Sequence, residues 1–157
     1  MRKALFVASV LVAVYCSLSV AGSRKILVKD GDLWIEGQNL TKTGGKIDRF
    51  MVSPSGRYAS AHKIIGYIEE HDDSLQEGQK PNMIPAYSVV IVDLVKRQAL
   101  NDITAPEELL HPGEWRQGDI YRFYTGSQLD VIGTYEYDPK ANKVRKLEFD
   151  NKTGKYK

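Results

Sequence analysis

The chain has one cysteine in 157 residues, and that residue, Cys16, lies in the apolar opening stretch. Beyond it there is no thiol nucleophile, no cysteine metal site and no disulfide framework. Histidine is scarce too, at three: His62, His71 and His111. No Walker A loop, dinucleotide fingerprint, zinc-finger spacing or His-Glu-x-x-His occurs. No Gly-x-Ser-x-Gly elbow presents a serine to a base. An excess of one charge is also missing. Arg2 and Lys3 account for the whole net +2, so residues 22–157 are balanced. That balance argues against nucleic acid as a partner.

The opening "MRKALFVASVLVAVYCSLSVAG" has a basic start, an apolar run over residues 4–14 and the small-x-small pattern Ser19-Val20-Ala21. It predicts a secretory signal peptide over residues 1–21, cleaved after 21 or 22. The expected location is outside the cytoplasm, periplasmic or secreted. An uncleaved signal would be the only membrane attachment. Tyr15 before Cys16 does not suit lipid attachment there.

What remains reads as one all-β domain over residues 22–150, with a frayed tail over 151–157. "KILVKDGDLWIEG" is two strands joined at Asp30 and Gly31, a hairpin signal. "DRFMV" and "RYASAHKIIGYIEE" flank the turn "SPSG". The second of these, and "SVVIVDLV", lack clean alternation and suit strands covered on both faces. "DIYRFYTG", "QLDVIGTYEYDP" and "VRKLEFD" complete about eight strands. "TAPEELLHPG" carries a capping box, Thr104 with Glu107, and predicts one short helix that His111, Pro112 and Gly113 end. The expected fold is a small twisted antiparallel sheet or sandwich with blade-like hairpins.

Two phrases carry a resemblance. In "LWIEGQNLTKTGGKIDRFMVSPSGRYASA", Leu33, Trp34, Leu40, Thr41, Ser53, Pro54, Gly56 and Tyr58 stand at the places of a repeated pattern. "SVVIVDLVKRQALND" matches its closing strand, and "GTYEYDPKANKVRKLE" is a degraded third copy. Together they resemble the repeats of TolB-type, WD40-like β-propellers of the bacterial envelope. Ser55 departs from that pattern, which has Asp. Blades take roughly 40–45 residues and rings close with 4–8 of them, so a closed monomeric propeller is excluded. The resemblance implies protein binding in the cell envelope and supplies no catalytic residue.

Three readings of function follow. The first is an exported, non-enzymatic binding or accessory protein that engages a protein partner through an exposed strand edge or an aromatic surface. Its candidate contacts are Trp115, Arg116, Tyr121, Arg122 and Tyr124, residue types that dominate binding hot spots. Core packing is the competing reading of the same rings. The long polar loop over residues 70–86, with His71, Asp72 and Asp73, is a second candidate. The second reading is a glycan or small-ligand binder using the Tyr, Trp and Arg surface. The third is a metal-assisted hydrolase around His62, His71 and Asp72. The "EEHDD" run lacks the spacing of a calcium loop, so no metal and no cofactor are expected.

Overall fold

The computed structural model describes residues 25–44, 46–70, 78–105 and 108–156. The expected signal peptide lies outside them. The described residues are all β, with thirteen strands in four antiparallel sheets, none closed into a barrel.

The first sheet holds β1 (Ile26–Lys29), β2 (Asp32–Ile35) and β3 (Gln38–Asn39). Asp30 and Gly31 both take positive φ, 52° and 70°, as the two-residue turn between β1 and β2 requires. The second sheet is a meander of β4 (Ile47–Val52), β5 (Tyr58–Glu69), β6 (Met83–Asp93) and β7 (Gln98–Ile103). The third is another meander, β8 (Leu109–Arg116), β9 (Ile120–Gly126), β10 (Val131–Asp138) and β11 (Lys143–Leu147). A final hairpin pairs β12 (Phe149–Asp150) with β13 (Lys155–Tyr156).

The second sheet is the shared wall of two cores. Alternate residues of a strand point to opposite faces. Ala59 and Ala61 of β5, with Val90 and Val92 of β6, pack against Leu33 and Ile35 of the first sheet. Val89 and Ile91 of β6 pack instead against Tyr121, Phe123 and Tyr137 of the third sheet. Burial on both sides is why residues 58–62 and 88–93 lack a polar face; the far halves of the two strands are exposed or half-buried. The small alanines let the first sheet come close.

Two expectations are corrected. There is no helix among the described residues. Thr104 and Ala105 are irregular, and Leu109 onward is strand β8. Pro106 and Glu107 lie outside the described residues. A helix of one or two turns gains little after its costly first turn. Pairing with β9 and burial of Leu110 in the core take precedence. Pro112 and Gly113 do not stop a helix. They form a bulge, at which the register with β9 shifts between His111 and Glu114. The count of about eight strands is also low. β3, β7, β8, β12 and β13 are additional, being short, joined to a neighbour in the text, or masked by the helix signal.

Candidate functional site

The aromatic segment is divided by the pleat of the third sheet. Trp115 and Tyr121 face each other on adjacent strands and point toward the second sheet. Tyr121 is fully buried. The Trp115 indole N–H donates to the Met51 carbonyl at 3.2 Å, and its ring lies 5.2 Å from Tyr121. A row of rings runs from Tyr58 through Trp115, Tyr121 and Phe123 to Tyr135.

Arg116, Arg122 and Tyr124 lie on the opposite face, where charges alternate across the sheet. Glu114 faces Arg122, Arg122 faces Glu136, and Glu136 faces Arg145. Each Glu136 oxygen accepts two bonds from one guanidinium, Oε1 from Arg122 at 2.6 and 3.2 Å and Oε2 from Arg145 at 2.5 and 3.2 Å. Burial works to raise the Glu136 carboxyl, but these donors outweigh it and hold it below the usual range. Arg116 pairs with Glu114 at 2.6 Å. The Arg122 guanidinium also stacks over Tyr156 of the last hairpin, 5.8 Å from its centroid. The five residues therefore do not converge on one surface.

His62 sits inside, beneath the third sheet, with 2% of its surface exposed. Its Nε2 lies 3.3 Å from the Tyr121 hydroxyl, which accepts the Gly113 N–H at 3.0 Å. Ser60 is buried on the same face, and neither its Oγ nor His62 Nδ1 has a hydrogen-bond partner. Burial, helped by Arg49 and opposed by Asp48, lowers the His62 pKa to about 4. Burial pushes the Tyr121 hydroxyl up to about 12. His111 is in β8, with Nε2 3.0 Å from the Ser127 carbonyl. His71, Asp72 and Asp73 lie outside the described residues. Among the described residues, no three His, Cys, Asp or Glu side chains gather to hold a metal.

The far half of the β5–β6 hairpin corrects the expected loop over residues 70–86: Met83 to Ala86 are strand, paired with β5. β4 accompanies β5 to Lys63, and β7 meets β6 from Val89 onward. Beyond these points the pairing of residues 64–69 with Met83 to Tyr87 continues as a two-stranded ribbon. It carries exposed Ile65, Tyr67 and Met83, with Tyr67 61% exposed. The Gln128 side chain donates to the Glu69 carbonyl at 2.5 Å. That bond draws the β9–β10 loop alongside, with Leu129, Val131 and Ile132 exposed, Leu129 at 73%. Pro85 has no N–H to give, which blunts the β6 edge. The β5 edge over residues 65–68 has no strand beside it among the described residues.

Comparison with models of known families, with curated proteins and with solved structures found no match to this chain.

Proposed function

We propose that this chain is an exported, non-enzymatic binding or accessory protein of the cell envelope that engages a protein partner by strand addition. The observation that carries the reading is the projecting ribbon. Among the described residues no strand pairs with its β5 edge over residues 65–68, while Pro85 obstructs the β6 edge. Strand addition uses such an edge for affinity and alternate side chains for selectivity. Ile65 and Tyr67 offer those contacts, and Leu129 to Ile132 extend the apolar area. Glu69 and Glu70, both exposed at the tip, favour a basic residue in the partner. The partner is therefore an extended segment with alternating apolar side chains and a basic end.

The resemblance of "SPSGRYASA" and "SVVIVDL" to envelope propeller repeats supports the same setting. Burial of Ser60 and His62 weighs against the hydrolase, because substrate does not reach them. The test is capture from an envelope extract by the purified chain. Ile65→Glu and Tyr67→Glu each weaken capture of the same partner about tenfold or more, as removal of a hot spot does. Arg116→Ala, on the far face of the third sheet, retains it. The amides of residues 65–68 gain protection from hydrogen exchange in the complex. A partner held equally by all variants, or no partner at all, overturns the proposal.

A further inference from the structure

The margin where β7 leaves the third sheet uncovered holds a cleft of about 470 Å³. This lies within the size range of small-molecule sites, roughly 300–1,000 Å³. One wall is residues 101–105 at the end of β7; the other is the inner face of β9, β10 and β11. Phe123 and Tyr135 stack with centroids 5.4 Å apart and planes at 14°, and Ile103 and Val144 add aliphatic surface. Thr125, 5% exposed, lines the cleft, and its Oγ1 is buried with no hydrogen-bond partner. A buried hydroxyl left unpaired is costly. Gly133 lets Tyr135 and Thr125 pack over its backbone: a side chain there would begin 2.6 Å from the Tyr135 ring, 2.8 Å from Thr125 Oγ1 and 3.1 Å from the Tyr135 hydroxyl. The two hydroxyls thus converge over a backbone without a side chain. Glu108 at the cleft disfavours an anion.

We infer that this cleft is a binding site for a small uncharged ring compound bearing a hydroxyl. The ring lies against Tyr135 and the aliphatic wall, and the hydroxyl bonds Thr125 Oγ1. A phenol and a pyranose share this chemistry. The site is separate from the ribbon and does not depend on it.

Amide NMR titration of the purified chain with phenol, with methyl glucoside and with benzoate tests the inference. Saturable shifts at Ile103, Thr104, Thr125 and Tyr135 are expected with one of the two neutral probes at millimolar concentration, and weaker binding is expected with benzoate. Phenol alone identifies an aromatic ligand, and the glucoside alone a sugar. Thr125→Val removes the hydroxyl and keeps the shape. It lowers affinity about tenfold, the size of one buried hydrogen bond, while the melting temperature stays level or rises. Val144→Phe fills the cleft from an edge strand and abolishes the shifts. Silence of these residues with both neutral probes shows a cleft that holds water only, and overturns the inference. Equal binding by Thr125→Val, or its unfolding, does the same, since the hydroxyl then has no ligand role or a structural one.

Discussion

At the scale of the residue, buried polar groups set how stability responds to pH. His62 has an ordinary pKa of 6.5 and a folded value of about 4, because burial penalises its charged form. Between these values the unfolded chain binds a proton that the folded chain refuses. Stability is therefore intact above the unfolded value and falls as pH drops toward 4. The full difference is roughly 3 kcal/mol at about 1.4 kcal/mol per unit. Urea denaturation from pH 7 to pH 4 measures it. In His62→Gln the part of the slope due to this group vanishes; an unchanged slope refutes the assignment. Asp119 shows the converse balance. Burial works to raise its carboxyl, and bonds from Ser55 and Ser53 outweigh it and lower it. The Ser55 N–H reaches Asp119 Oδ1 at 3.1 Å. Ser55 is thus served by an aspartate from the turn between β8 and β9.

At the scale of the element, strand β8 depends on its bulge. A side chain at Gly113 would begin 1.9 Å from the Arg122 carbonyl oxygen. The obstacle is backbone of the neighbouring strand, so no rotamer change relieves it. Gly113→Ala is expected to cost about 3 kcal/mol or more. The bond from Gly113 N–H to Tyr121 would be lost with it. Thermal denaturation checks this, with Gly118→Ala as a comparison at a site where no atom lies within 4 Å but φ is +80°. That comparison should cost only the smaller strain of a left-handed residue.

At the scale of the whole molecule, the second sheet contributes to both cores, and the first and third sheets to one each. Its centre contains Ala59, Ala61, Val89, Ile91 and Val92, all without exposed surface. The far part of the same two strands extends past both flanking strands. One pair of strands therefore contains both backbone covered on two faces and backbone beyond both flanking strands. Native-state hydrogen exchange should find the slowest amides in residues 58–63 and 88–93. The amides of residues 65–68 should exchange orders of magnitude faster. Uniform protection along β5 would show that the ribbon is covered, and would count against strand addition there.

Much of the strand pattern could be read from the text, because period-two alternation, Asp30 with Gly31 and the Pro54 to Gly56 turn act locally. The double burial of residues 58–62 and 88–93 was legible for the same reason, a strand with no polar face having no solvent side. The expectation of cover along the rest of β5 fails, since residues 64–69 run past β4 and are exposed or half-buried. The identity of β8 was not. Its capping-box text favours a helix in isolation, and only pairing with β9 and the place of Leu110 in the core decide otherwise. Nor could the text divide the aromatic segment, since a bulge resets which side each residue takes. Trp115 and Tyr121 became core, while Arg116, Arg122 and Tyr124 took the outer face. The ribbon and the cleft exist only in three dimensions. The ribbon arises where β4 and β7 end before β5 and β6, and the cleft where the end of β7 meets the third sheet, and such lengths are compared only when the chain packs. The sequence by itself determined the all-β character and most turns. The tertiary structure decided which faces are buried and which edges stay open, because those depend on register between distant strands.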